Sequence, residues 1–290
     1  MKIFVLFGQT ATGKTAKALA LCDSENGEIV NFDSRQIYKK LDIVTGKDRP
    51  SDKKYKIWLY DIVDPKESFS SGDYVDHALA VLKDIIARGK IPILVGGTGY
   101  YLYHLLYGVP QIAVPENWPL RHQLGIKSIS ELTSILQEKN QKFLTDLNES
   151  DRQNPRRLIR RIEIAYAGGD LAEKPTQITL PANLGGLQET DVKFIPFFHT
   201  DSEKTREIIR ARVMNRIENG AIEETQNLLN EGYKPSDPGL NAIGYQQIIS
   251  YINNEATREQ MIELWLTREI QYAKRQKTYF QKYFPNSLIS

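Results

Sequence analysis

The chain predicts an α/β protein: a P-loop-type parallel sheet flanked by helices, with a mainly helical insertion domain and a helical C-terminal region. Three observations carry this expectation. A short apolar run, Ile3 to Phe7, leads directly into the loop Gly8-Gln9-Thr10-Ala11-Thr12-Gly13-Lys14-Thr15. Strand-like and helix-like segments then alternate through the first 108 residues. Between Val109 and Pro119 three prolines (Pro110, Pro115, Pro119) break that alternation, and mostly helical, charged sequence follows.

Taken in order, the continuous apolar run Ile3 to Phe7 suits a strand buried on both faces. Glu28 to Phe32, Ile57 to Ile62 and Ile91 to Val95 are further strand candidates. Between the last two, Val75, Ala78, Leu79, Leu82, Ile85 and Ile86 recur at helical spacing, and Ser70-x-x-Asp73 has the pattern of a capping box. Strands alternating with helices argue for a parallel sheet. Asn154-Pro155 reads as the N-cap and first position of a helix carrying Arg156, Arg157, Arg160 and Arg161. Residues 168–190, rich in Gly, Pro and Thr, read as a loop, and Val192 to Phe198 returns as a strand. This places an insertion at 113–190 within a core of 1–112 and 191–290. Helices follow, the last opened by the capping-box pattern Thr257-x-x-Gln260.

Composition narrows the function classes. With 41% hydrophobic and 26% charged residues and no apolar stretch of 18, no membrane partner is expected. The Ile3–Phe7 run is too short for a signal peptide. The single Cys22 excludes an intramolecular disulfide and fits a reducing, cytoplasmic setting. Histidines 77, 104, 122 and 199 lie far apart and away from Cys22, so no zinc site is expected. Net charge is only +2, but it is unevenly spread. Arg152 to Arg161 holds five arginines and no acid. Thr267 to Tyr283 holds Arg268, Lys274, Arg275, Lys277 and Lys282 against Glu269, a net +4. Such clusters bind phosphate backbones, or are solvated helix faces; composition leaves both open.

Three motifs carry chemistry. Gly8 to Thr15 matches G-x-x-x-x-G-K-[ST] between a predicted strand and helix, the context that motif requires. Its backbone N–H groups curl around phosphate oxygens, and the helix N-terminus adds a favourable dipole. Lys14 supplies a point charge and the Thr15 hydroxyl a ligand for Mg²⁺. The motif specifies a phosphate-bearing ligand without specifying a kinase. Asp33-Ser34-Arg35-Gln36-Ile37-Tyr38 follows the second strand, where strand ends border the ligand crevice. A carboxylate there ligates Mg²⁺ or acts as a general base; the alternative is a helix N-cap. Gly96-Gly97-Thr98-Gly99-Tyr100-Tyr101 occupies the equivalent place after Val95, with Thr98 offering an uncharged hydroxyl or, alternatively, an N-cap. A phosphoryl-transfer enzyme usually keeps a magnesium-binding acid at such a strand end, or arginines in a lid over the γ-phosphate; Gly-Gly-Thr here weakens the kinase reading without removing it.

Together these motifs resemble those of the tRNA dimethylallyltransferase (tRNA isopentenyltransferase) family. The resemblance covers Gly8 to Thr15, Asp33 to Lys47 (DSRQIYKKLDIVTGK) and Val95 to Tyr101 (VGGTGYY). It continues through Asp151 to Glu163 (DRQNPRRLIRRIE), Ala242 to Gln246 (AIGYQ) and Ala273 to Phe280 (AKRQKTYF). Six ordered motifs thus span nearly the whole chain. Departures are Gln9 for the usual proline, Val44 for glycine, Tyr279 for tryptophan, Glu269-Ile270 for a Thr-Arg pair, Ile208 for arginine and Arg216 for methionine. No zinc-finger tail is expected.

The resemblance implies transfer of a dimethylallyl group from dimethylallyl diphosphate to the N6 amine of the adenosine next to the anticodon, releasing diphosphate. It implies Asp33 as base, Thr98 positioning the amine or the donor, and Lys14, Mg²⁺ at Thr15 and Arg212 on the diphosphate. The target base has to leave its stack, which makes Ser34, Arg35 and Gln36 candidates to hold it. Arg121, Arg156, Arg157, Arg160, Lys274, Arg275 and Lys277 are the candidates to grip the anticodon stem-loop through its phosphates, each with the alternative of a salt-bridged surface residue. A monomer is expected. The competing readings are a P-loop small-molecule or nucleotide kinase, a non-enzymatic RNA-binding protein, and an adenylate isopentenyltransferase acting on free nucleotide.

Overall fold

The structure is a computed structural model and describes residues 2–50, 52, 54–108, 114–170, 178 and 189–285. In chain order the core opens with β1 (Ile3–Gly8), α1 (Lys14–Glu25), β2 (Gly27–Asn31), β3 (Ile57–Trp58), α2 (Ser71–Ala87), β4 (Ile91–Gly96) and α3 (Gly99–Tyr107). Next come α4 (Trp118–Gly125), α5 (Ile129–Lys139), α6 (Gln141–Thr145), α7 (Glu149–Arg152) and α8 (Pro155–Tyr166). The chain ends with β5 (Val192–Phe197), α9 (Ser202–Glu218), α10 (Ala221–Asn230), α11 (Tyr245–Ile252) and α12 (Arg258–Tyr283). Two compact units result: Met1–Val109 with Gln177–Ser290, and Pro110–Thr176. The second unit therefore ends before residue 190, where loop-forming composition alone suggested its boundary.

The first unit is built on a five-stranded, wholly parallel sheet in the order β3-β2-β4-β1-β5. Strand alternation explains why continuous apolar runs are needed. Ile3, Val5, Phe7, Val30 and Leu94 face a cluster with α2, α3 and the end of α12, while Phe4, Leu6, Ile29, Ile93 and Val95 face the α1 side. Pro196 is tolerated because β5 is an edge strand, where a missing N–H costs no ladder bond. A third cluster is centred on fully buried Trp265 and packs α9, α11 and α12 around Ile37, Leu41 and Val44.

The predicted capping boxes at Ser70/Asp73 and Thr257/Gln260 are present, as is Asn154 with Pro155 opening α8. One expectation needs correction, and one alternative reading falls. The strand expected over Ile57 to Ile62 stops at Trp58, because Leu59 (φ 66°) and Asp61 (φ 58°) adopt left-handed backbone that no strand accommodates. Asp33 caps no helix: its Oδ1 accepts the Arg35 N–H within a turn. The other strand ends shift by a residue. The loop expected over 168–190 lies mostly outside the described residues.

The second unit is a helical bundle whose core includes Leu132, Leu136, Leu158 and Ile162, all fully buried. Each such side chain contributes about 2 kcal/mol on burial, more than the partly exposed Arg157–Asp151 pair supplies. Its one buried charge among the described residues is Glu163, whose carboxylate accepts from Arg121 Nε (2.7 Å), Arg121 Nη2 (2.8 Å), Arg160 Nη1 (3.0 Å) and the Asn117 N–H (2.9 Å). Burial would raise the Glu163 pKa; these donors outweigh it and hold it below the usual carboxylate value. Glu163→Ala leaves two cations facing a void, and should lower the opening free energy of 114–170 by about 3 kcal/mol in hydrogen exchange. Unchanged protection there would show that Glu163 does not organise the unit.

Candidate active site

Local geometry forces the phosphate loop open. Gly8 (φ +135°) crosses the end of β5 so closely that an added Cβ would lie 2.0 Å from the Phe197 carbonyl oxygen. The chain then leaves the sheet, and α1 begins at Lys14 with its N-terminal N–H groups turned to the loop. Two glutamines hold the loop from outside. Gln9 is buried; its Oε1 accepts the His199 N–H (2.8 Å) and its Nε2 donates to the Ala273 carbonyl (3.0 Å). Gln276 accepts the Thr10 N–H (2.9 Å) and donates to the Gly97 carbonyl (3.0 Å). The proline usual at the first position in the resembling family could make neither Gln9 contact.

A cavity of about 620 Å³ lies over this loop, lined by Gly13, Lys14 and Thr15 together with Asp33, Asp48 and Arg212. Arg212 Nη1 donates to Thr10 Oγ1 at 2.7 Å, bringing α9 to the phosphate loop. A second cavity of about 500 Å³ shares Thr10, Asp33, Gln36, Gly97, Arg212 and Gln276 with the first. It extends instead toward Thr98, Tyr100, Tyr272, Arg275 and Tyr279. The site is thus two chambers with a common wall: one built on the phosphate loop with Lys14, Arg49 and Arg212, the other lined by Tyr100, Tyr272 and Tyr279 together with Arg35, Arg216 and Arg275.

Asp33 stands on the common wall. Asn31 anchors it, its Oδ1 accepting the Asp33 N–H at 3.0 Å. Thr98 fixes the neighbour: its Oγ1 accepts the Ser34 N–H (3.0 Å) and donates to Ser34 Oγ (3.2 Å). Although Thr98 sits at the N-cap of α3, it makes no side-chain cap bond, so the hydroxyl joins two loops instead. Gln36 donates to the Gly46 carbonyl at 2.8 Å, and exposed Arg35 reaches the Pro238 carbonyl.

Lys14 differs from a simple point charge. Desolvation at its half-buried position, helped by the neighbouring Arg212 and opposed by Asp33 and Asp48, lowers its pKa to about 7. Its ammonium donates to the Gln9 carbonyl and, at 3.3 Å, to Thr12 Oγ1. Thr15 Oγ1 donates to Asp48 Oδ2 at 3.0 Å.

The basic candidates separate into two groups. Arg121 and Arg160 are committed to Glu163, and Arg157 is paired with Asp151. Arg156 is exposed without an acidic partner among the described residues. On α12, Lys274 and Arg275 are exposed and Lys277 partly so, none with a described acid beside it. Asp48, Gln276, Tyr272 and Glu224 were not singled out individually by sequence reasoning. Gln276 lies within the AKRQ motif, and Asp48 directly follows the DSRQ-to-GK motif, so position beside a motif was the available signal.

The Lys14 value has a measurable consequence. An anion in the cavity raises the pKa of Lys14, so above pH 7 binding must take up a proton. Pyrophosphate affinity of the native chain should fall with rising pH relative to Lys14→Met, approaching tenfold per pH unit. Calorimetry across pH 6.5–9.0 in buffers of differing ionisation enthalpy reads both affinity and proton uptake (about one per site). Identical pH slopes for both proteins would place Lys14 outside the anion site.

Comparison with known proteins agrees with the motifs and the geometry. A family model described as IPP transferase matches residues 36–283. A tRNA dimethylallyltransferase of Endomicrobium trichonymphae is 35% identical over 97% of this chain and 92% of its own length. Another, of Anoxybacillus flavithermus, is 34% identical over 98% and 88%. The full-length tRNA isopentenylpyrophosphate transferase of Bacillus halodurans superposes with a TM-score of 0.67 at 28% identity, covering 97% of this chain and 86% of that one. A eukaryotic dimethylallyltransferase acting on tRNA shares the fold, with a TM-score of 0.76 at 24% identity over 99% and 71%. A phosphate loop, the Asp33 and Thr98 turns, and relatives matched over nearly their full length converge on one assignment: the chain belongs to the IPP transferase family of tRNA dimethylallyltransferases.

Proposed function

We propose that this enzyme transfers the dimethylallyl group of dimethylallyl diphosphate to the N6 amine of the adenosine next to the anticodon of tRNA, in the cytoplasm and as a monomer. The observation that carries this reading is the pair of chambers meeting at Asp33. The chamber on the phosphate loop, with Lys14 and Arg212, suits a diphosphate, and the chamber lined by Tyr100, Tyr272 and Tyr279 suits a purine turned out of its stack. Among the described residues no helix is long and apolar enough to cross a membrane.

In the reaction the N6 lone pair attacks C1 of the dimethylallyl group as the C1–O bond breaks. The electrons of that bond leave with diphosphate, and the amine proton passes to the Asp33 carboxylate. Arg212, protonated Lys14 and the α1 N–H groups are positioned to stabilise charge growing on the leaving oxygen. Thr98 keeps Ser34, and hence the Asp33 turn, in place. A divalent ion such as Mg²⁺ fits this chamber, since Thr15 presents a hydroxyl oxygen beside the phosphate loop. No cluster of three or more His, Cys, Asp or Glu among the described residues could hold an ion alone, so diphosphate oxygens would share it. When bound, the ion supplies charge neutralisation to the departing diphosphate.

Two outcomes are expected. Asp33→Ala should lower turnover by about 100-fold or more with donor KM little changed, because the carboxylate acts on the amine and not on the diphosphate. Near-normal turnover would remove Asp33 from proton transfer. Labelled donor offered in parallel to unmodified tRNA, AMP and ATP should modify tRNA alone, and incorporation into free nucleotide would sink the tRNA assignment.

The α12 cations, without an acidic partner among the described residues, generate a third. Neutralising Lys274, Arg275 and Lys277 together should weaken tRNA binding and flatten its salt dependence by about one unit of slope per lost phosphate contact. Equal affinity and slope in both proteins would reduce this stretch to a solvated face.

A further inference from the structure

The carboxylate nearest the phosphate loop's hydroxyl does not come from a strand end. β4 runs out in Gly96-Gly97-Thr98, and the Asp33 carboxylate is turned onto the Arg35 N–H. Thr15 Oγ1 instead meets Asp48 Oδ2, at 3.0 Å, from the loop following Lys47.

Asp48 is exposed, but the loop is held before and after it. Glu224 accepts the N–H groups of Asp42, Ile43 and Val44. The fully buried Lys47 ammonium donates to the Tyr38 carbonyl, Asp42 and Asp61, and Arg49 donates to the same two carboxylates. Both sequence neighbours of Asp48 are therefore paired with Asp42 and Asp61, and Asp48 lines the phosphate chamber beside Arg49. A fixed anion beside a diphosphate site weakens binding by like-charge repulsion unless a cation lies between them. A carboxylate and a hydroxyl in contact, next to diphosphate oxygens, form the hard-oxygen set that Mg²⁺ takes.

We propose that Asp48, paired with Thr15, is the carboxylate that holds the divalent cation beside the bound diphosphate. The assignment rests on the reading of this chamber as a diphosphate site, and its test requires neither tRNA nor a prenyl donor.

The experiment measures pyrophosphate affinity by calorimetry, with saturating Mg²⁺ and with chelator, for the full chain and for Asp48→Asn and Asp48→Glu. The native chain should bind more tightly with Mg²⁺. Asp48→Asn should lose at least about tenfold of that gain. In chelator it should bind pyrophosphate as well as the native chain or better, since the repulsion is gone. Asp48→Glu, which keeps the charge, should recover part of the Mg²⁺ gain. An undiminished gain in Asp48→Asn would overturn the proposal. So would loss of pyrophosphate binding in chelator, the mark of a merely structural loop contact. If the metal dependence follows Asp48 but tRNA accepts no prenyl group, the cation assignment stands and the substrate reading falls.

Discussion

The carboxamide of Gln276 accepts the Thr10 N–H and donates to the Gly97 carbonyl, so one buried side chain of α12 joins the phosphate loop to the loop after β4. Gln9 completes the tie from the other direction, reaching Ala273 on α12 and His199 beyond β5. Each bond is worth only about 1 kcal/mol net, but an unmet buried partner costs about 1–3 kcal/mol. The arrangement is therefore held less by attraction than by the cost of any alternative. With α12 so fixed, Phe280 packs on Phe7 of β1 at 4.9 Å between ring centroids, and Tyr272, Arg275 and Tyr279 face the second chamber.

A second constraint shapes the opposite wall. Lys47 is a buried ammonium, and such a group persists only when fully partnered. Its partners are Asp42, Asp61 and a backbone carbonyl, and both carboxylates are also shared with Arg49. This network accompanies the early end of β3: Asp61 reaches Lys47 from a left-handed backbone conformation. Gly46 belongs to the same wall. Its φ of +65° favours glycine, and an added Cβ would lie 2.5 Å and 2.7 Å from guanidinium nitrogens of Arg216 and Arg212, displacing both side chains. Arg216 in turn pairs with Glu269 at 2.9 Å, linking two positions where the chain departs from the family pattern.

Charge shows how far linear reading extends. The run from Arg152 to Arg161 looks like a phosphate-binding stripe, yet Arg157 and Arg160 answer acids within the same unit, as does Arg121 on α4. The α12 segment keeps its exposed cations. The two runs are similar in composition and differ in what folding places beside them: a buried Glu163 draws in two arginines, whereas the acid of the second run, Glu269, is taken by Arg216 from α9.

Periodicity and local chemistry sufficed for much of this protein. The apolar runs marked the parallel strands, since a sheet covered on both faces has no polar alternation to hide them. Ser70, Thr257 and Asn154 marked helix starts because caps act within four residues. Gly8 to Thr15 and the turns at Asp33 and Thr98 were legible because strand ends, loop and helix dipole are local features. What tertiary structure alone decided were the long-range partnerships: Gln276 with Thr10, Glu224 with the 42–44 loop, Arg212 with the phosphate loop and Asp48 with Thr15. Motifs flagged Arg212 and Gln276 without naming their partners, because hydrogen bonds and desolvation depend on distances that only packing sets; the same packing lowers the pKa of Lys14 to about 7.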